Sequence, residues 1–230
     1  MKIPIISYHS ISNENCPISL SLNEFEKQLV FFKKNNFRSI HFNEIDNISS
    51  KKFIITFDDG YKDLITNALP LLNKYNFKAT CHLISNLIGK TNIWDEYKSN
   101  IKDKELMNSS DIDYWLKNGM KIGSHSKNHK KLTKLNEKDK IDEIINSKIE
   151  LENLTSSSVD SFCYPYGLYD ANIVNIVKEK YDFAFTTNRS RFNTNKHNKY
   201  LIPRIDMGKK MSKFKLYLKT FTPYEDIRNN

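Results

Sequence analysis

The chain has 230 residues, 39% of them hydrophobic and 12% aromatic, which suits one α/β domain with a sizeable core and excludes a disordered chain. No apolar run approaches the roughly 20 residues of a membrane span, so no transmembrane segment is expected and any membrane contact would be peripheral. The net charge of +9 comes from scattered lysines with no basic stripe interleaved with aromatics, so no nucleic-acid partner is expected.

Residues 3–8 read as a first strand that delivers His9 at its end. The N-terminal run is too short for a signal peptide, which makes a cytoplasmic location the expectation, or export if a leader was trimmed. Cys16, Cys81 and Cys163 are odd in number and lack a Cys-x-x-Cys pair, so free buried thiols are expected rather than a disulfide framework or a thiolate metal site. Ser21 and Glu24 make a capping-box pattern, opening a helix to about residue 34 with Phe25, Leu29 and Phe32 on one face. A short strand follows at 37–40. The apolar run 53–55 then reads as a buried strand that ends in Thr56-Phe57-Asp58-Asp59-Gly60.

Residues 61–75 read as a helix with Pro70 as a kink. Residues 78–84 alternate as a strand, and 86–108 are polar and irregular, either a short helix over the site or a mobile insertion. Ser110 or Asp111 is expected to cap a helix through residue 117, with Gly119 just past its end. A strand at 120–124 precedes Ser124-His125-Ser126-Lys127-Asn128-His129. Asn136 opens a long helix to about 154, 161–164 is a strand ended by Pro165, and Asp170 begins a helix to about 179. Strands at 183–186 and 200–205 follow, and the tail from 209 to 230 reads as helical. Alternating strands and helices argue a parallel sheet, and about seven strand–helix units favour a single (β/α) barrel domain over residues 1–230.

Asp58 and Asp59 fall at the C-terminal end of a buried strand, where α/β enzymes place their chemistry. Two adjacent buried acids repel each other unless a cation neutralises one. His125 and His129, four apart, are expected on one face of a helical turn, where both can point at one metal. One carboxylate and two imidazoles form a common open ligand set for zinc, and the same set suits cobalt, nickel and iron. Asp59, His125 and His129 are therefore the candidate ligands. His41, His82 and His197 read as structural or surface residues.

The three segments Thr56–Gly60, His125-Ser126-x-x-His129 and Tyr164-Pro165-Tyr166-Gly167 resemble, in order and spacing, the first three motifs of the polysaccharide deacetylases, the NodB-homology domain of the carbohydrate esterases. The resemblance implies a distorted (β/α) barrel with seven strands, one divalent metal ion, foremost zinc, and hydrolysis of the N-acetyl group of an amino sugar in a glycan or glycan precursor. It makes Asp58 the general base, places an oxyanion-binding N–H on Tyr166 after Pro165, and lets Tyr164 and Tyr166 wall the sugar site. Two departures stand out. The arginine that usually orients the catalytic acid is replaced by Cys163, and Arg204 is the candidate substitute. The usual C-terminal general-acid histidine is missing, and Tyr8-His9 resembles the N-terminal motif of the poly-N-acetylglucosamine-type subset, which makes His9 the candidate acid. Two rivals stand beside this reading: a deacylase or deformylase of a small or lipid-linked amide, a role that relatives in the family have, and a glycan-binding pseudoenzyme without turnover, which the two departures motivate.

Overall fold

The computed structural model describes residues 2–45, 51–95, 101 and 103–227. Seven parallel strands form the central sheet: β1 (Ile5–Tyr8), β2 (Lys52–Phe57), β3 (Thr80–Leu83), β4 (Lys121–Ser124), β5 (Ser161–Cys163), β6 (Phe183–Phe185) and β7 (Ile205–Asp206). Their order is β6-β5-β4-β3-β2-β1-β7. A two-residue strand, Arg38–Ser39, adds to β2 off this path. Just before β7, Ile202 bridges Phe185 of β6 in parallel, while Ile205 pairs with Ile6 of β1. One short segment thus faces both edges, and the sheet curls into a distorted (β/α) barrel, the fold expected from the strand count.

Because helices cover the outside and side chains fill the inside, both faces of the strands are buried and they read as continuous apolar runs. Alternation sorts them. Phe53, Ile55 and Phe57 pack outward with Phe25, Leu29 and Phe32 of the helix Leu22–Lys34. Phe53 stacks on Phe32 at 4.2 Å, and burial of each such ring stabilises the fold by roughly 1.5–3 kcal/mol. Ile54, with Ile5, Cys163, Phe185 and Ile202, belongs to a separate inner cluster. Thr56, two residues on from Ile54, begins a polar layer above it, and the candidate site grows from that layer.

Several elements differ from their expected form. The helix expected over 61–75 is a wide π-turn, Leu64–Ala68, followed by an α-helix, Leu69–Tyr75. Pro70 has no N–H to give to the preceding turn, and the widened turn absorbs that loss. The cap of the helix Ser109–Lys117 is Asn108, not Ser110 or Asp111. Its side chain accepts the Asp111 N–H, and the Asp111 carboxylate accepts the Asn108 N–H in return. The long helix from Asn136 is continuous to Thr155 but contains a π-turn at Asp142–Asn146. The strand expected at 200–205 shrinks to β7 and the bridge at Ile202, because its length is set by two neighbouring edges rather than by local propensity. The tail forms two helices, Lys213–Phe221 and Tyr224–Ile227, and the expected helix beyond 227 lies outside the described residues. In the 86–108 segment, 96–100 and 102 also lie outside them; the rest makes 3₁₀ turns at Ser85–Leu87 and Ile93–Asp95 and an antiparallel bridge from Thr91 to Glu105. No described helix is long and apolar enough to cross a membrane.

Candidate active site

The strand end separates the two adjacent acids. Asp58 continues the pairing of β2, its N–H donating to the Tyr8 carbonyl at 3.0 Å. Asp59 then turns into the left-handed region at φ +73, and Gly60 follows at φ +78. Aspartate tolerates that region better than most residues. At Gly60 a side chain would also collide with Leu83, whose Cδ2 lies 2.7 Å from an added Cβ. The reversal sends the two carboxylates to different partners.

Asp58, 3% exposed, meets Arg204, also 3% exposed, across the barrel. Arg204 Nη1 donates to Oδ1 at 2.8 Å and Nη2 to Oδ2 at 2.7 Å. Three further acceptors fix the guanidinium: the Thr186 carbonyl at 3.0 Å, Thr56 Oγ1 at 3.1 Å and Cys163 Sγ at 3.2 Å. Burial opposes ionisation of Asp58, but the Arg204 charge and a His82 contact overcome it and hold the carboxyl well below the usual range. Cys163 thus sits beside Arg204, which makes the ion pair with Asp58 that a cysteine could not. Asp206, the alternative partner for Arg204, is exposed and accepts the Gly208 N–H.

Asp59 faces the two histidines. Nε2 of His125 and Nε2 of His129 each lie 3.5 Å from Asp59 Oδ1. All three residues are buried, and their ligand atoms lie within 4.8 Å of one another. His125 Nδ1 donates to the Cys163 carbonyl at 2.7 Å, so its Nε2 carries a lone pair. Burial pushes this imidazole down to about 4, so it is neutral at pH 7. A lone pair and a carboxylate oxygen facing each other at 3.5 Å call for a cation between them, and the donor set fits a divalent metal. A second grouping, Asp58, His125 and Cys163, fits less well. Arg204 occupies both oxygens of Asp58, and burial pushes the Cys163 thiol well above its usual range.

The two histidines do not share a helical turn, as their spacing had indicated. They lie in a loop after β4, with Ser126 at φ +65 and His129 at φ +56. Side chains hold that loop instead of a helical ladder. Ser126 Oγ accepts the His129 N–H at 3.0 Å. Glu143, 1% exposed, accepts the Lys127 and Asn128 N–H groups at 3.1 and 2.8 Å.

Above these groups lies a cleft of about 120 Å3 lined by His9, Asp58, Asp59, His125, His129, Tyr164 and Tyr166, with Ile18, Trp94 and Thr187. His9 comes from the end of β1, half-buried on the same cleft as Asp58. Tyr164 is buried and donates to the Tyr200 carbonyl at 3.0 Å. Pro165 is buried behind the rim, and Tyr166, at φ +58, is exposed on it. The structure therefore brings Asp58, Asp59, His125, His129, His9, Tyr164 and Tyr166 to one cleft, with Arg204 behind it.

Three neighbours were not read as site residues. His82, expected to be structural or surface, is fully buried with Nδ1 3.3 Å from Asp58 Oδ1. Its alternation away from Cys81 was the available signal, since that parity is the inner face. Trp94, from the irregular 86–108 segment, places its ring 4.7 Å from that of His129, which also contacts Tyr166 at 4.5 Å. Glu143 gave one hint, an acid beside the apolar pair Ile144–Ile145. His41 and His197 stay away from the cleft: His41 Nε2 contacts the Gly119 carbonyl, and His197 Nδ1 accepts the Asn193 N–H.

Comparison with known proteins matches residues 46–182 to the sequence model of polysaccharide deacetylases. YxkH of Bacillus subtilis, a protein named for the same family, is 28% identical over 194 residues, which cover 81% of this chain and 64% of YxkH. A poly-beta-1,6-N-acetyl-D-glucosamine N-deacetylase of Staphylococcus aureus (strain MSSA476) is 27% identical over 210 residues, covering 87% of this chain and 71% of that protein. The chain thus spans about two thirds of the length of YxkH. Among solved structures, BA0330 of Bacillus anthracis aligns with a TM-score of 0.83 at 25% identity, over 96% of this chain and 69% of its own. The Streptococcus pyogenes deacetylase PplD, solved with acetate, has the same fold, with a TM-score of 0.83 at 24% identity over 96% and 98% of the two chains. By the matched segment, which covers more than half of its residues, the chain belongs to the polysaccharide deacetylase family.

Proposed function

We propose that the protein is a metal-dependent deacetylase that hydrolyses the N-acetyl group of an amino sugar in a glycan or glycan precursor, releasing acetate and a free amine. The observation that carries this reading is the convergence of Asp59, His125 and His129 beside an Arg204-held Asp58 at the floor of one cleft. The activity named for the staphylococcal relative supports the substrate class.

Asp59, His125 and His129 would hold the metal, with zinc the first candidate and cobalt, nickel or iron the others. When bound, such an ion supplies a water of lowered pKa and a Lewis acid for the amide carbonyl. Asp58 is ionised and accepts the proton of the attacking water on its carboxylate. Arg204 orients that carboxylate and keeps it charged in a buried setting. The Tyr166 N–H stabilises the oxyanion, and loss of one such donor typically costs about 2.7–4 kcal/mol. His9, from the same cleft, returns a proton to the leaving amine. Tyr164 and Tyr166 border the sugar.

The narrow cleft, walled by Trp94, favours a second reading in which the substrate is a small or lipid-linked amide. Acetate release from N-acetylglucosamine and from its longer oligomers, measured side by side, separates the two: rates rising with chain length support a glycan. Elemental analysis should find near one metal per chain, lost in Asp59→Ala. Absence of metal after incubation with zinc would refute the hydrolase. If His9→Ala deacetylates at the wild-type rate, the acid is a different group.

A further inference from the structure

We propose that His82 is a positioning residue for Asp58, donating from Nδ1 to Oδ1 so that the carboxylate is held from two sides, by Arg204 and by an imidazole. The proposal rests on the functional reading above only for its kinetic consequence.

Three strands build the setting. His82 of β3 is registered opposite Gly123 of β4, and Ser161 opens β5 beyond it. His82 is 0% and Ser161 2% exposed. Nε2 of His82 lies 3.2 Å from Ser161 Oγ, and the buried Nδ1, which has no aligned hydrogen-bond acceptor, lies 3.3 Å from Asp58 Oδ1. A carboxylate only accepts, so the bond to Asp58 needs the proton on Nδ1, and Nε2 then accepts the Ser161 hydroxyl.

Gly123 shows that space is kept for this arrangement. Its backbone is not left-handed, so conformation does not demand glycine there. A Cβ at this position would lie 2.4 Å from both His82 Cδ2 and Ser161 Oγ. The missing side chain is the room that the imidazole and the hydroxyl occupy. Phe185 completes the frame, with its ring centroid 5.2 Å from that of His82 and 5.8 Å from Arg204 Cζ.

Ser161, His82 and Asp58 thus line up in the order of a nucleophilic triad, yet neither Ser161 nor His82 lines the cleft. No substrate carbonyl can reach Ser161. The chain of contacts serves the carboxylate at its end. The Phe57 carbonyl is the competing acceptor for the same imidazole, and the test must distinguish it from Asp58.

Two measurements decide the matter. Nitrogen-15 NMR of the histidine-labelled full chain reads the tautomer without any activity. The expected result is a protonated Nδ1 at His82 whose resonance moves in Asp58→Asn. A proton on Nε2, or an Nδ1 resonance unmoved by Asp58→Asn, overturns the proposal. In the kinetic arm, His82→Phe should lower kcat for acetate release about 10–100-fold with KM and metal content unchanged, and His82→Asn, which restores a donor near Nδ1, should recover to within about threefold of wild type. Wild-type kcat in His82→Phe, or equal losses in both variants at matched melting temperature, would also overturn it. If the wild type releases no acetate from any oligomer, the functional reading fails, while the NMR result still decides the role of His82.

Discussion

Replacing Arg204 with methionine tests the electrostatic core of the site. Arg204 and Asp58 are each 3% exposed, and two of the five hydrogen bonds of the guanidinium go to the carboxylate. Methionine preserves much of the volume but leaves a buried carboxylate without its counter-charge. Breaking a buried pair in this way costs about 3–5 kcal/mol. For a chain of this size each kcal/mol lowers the melting temperature by about 2–4 °C, so Arg204→Met should melt roughly 6–20 °C below wild type. Asp58→Asn leaves the opposite charge buried and should also destabilise. The double variant leaves neither charge, so its loss should fall short of the sum of the two by about 2 kcal/mol or more. Thermal and urea melts of the four proteins give the cycle. Strict additivity, or an Arg204→Met melting within about 3 °C of wild type, would refute the argument that this pair is desolvated and mutually dependent.

Gly123→Ala forces a methyl to 2.4 Å from His82 and Ser161, and overpacking of this kind should cost about 1–3 kcal/mol in urea unfolding; a neutral result would show that the strands separate easily there. Glu143→Ala removes the acceptor of two loop amides and should weaken zinc binding about 10–100-fold by competition with a chelator, whereas unchanged affinity would show that the His125–His129 loop holds itself. Asp226 ties the C-terminal helix to Arg191 and Lys2 at 2.7 Å each. Burial opposes its ionisation, but the Arg191 and Lys2 hydrogen bonds outweigh this and depress its pKa. A depressed carboxyl stabilises the fold above its unfolded value of about 3.9 and loses that contribution as pH falls through the folded value. The melting-temperature advantage of wild type over Asp226→Asn should therefore be full at pH 6 and shrink below about pH 4; an advantage independent of pH would assign the effect to shape instead of charge.

Much of this protein was legible before folding. Short apolar runs ending in Asp58-Asp59-Gly60, in Ser124-His125 and in Cys163-Tyr164-Pro165 mark strands that bring polar and aromatic side chains to their C-terminal ends, because short apolar runs and sharp turn residues are local properties. The helix caps at Ser21, Asn136 and Asp170 are local in the same sense. The grouping of Asp59 with His125 and His129 also needed only residue type and order. The loop geometry of His125 and His129 was not legible, because their spacing suits a helical turn equally well, and Ser126 and Glu143 decide between the two through contacts 3 and 15–16 residues away.

The sequence by itself determined the seven-strand barrel, the acids and the histidines. Only the tertiary structure decided which residues hold Asp58. Arg204 is 146 residues from Asp58, and nothing local distinguishes it from a partner of Asp206. His82 alternates away from Cys81 in any strand, but whether that side is solvent or the barrel interior depends on closure. The short segment from Ile202 to β7 makes that closure by joining β6 to β1. Once closed, the barrel buries the inner polar layer, so each buried charge there must find its partner across the barrel.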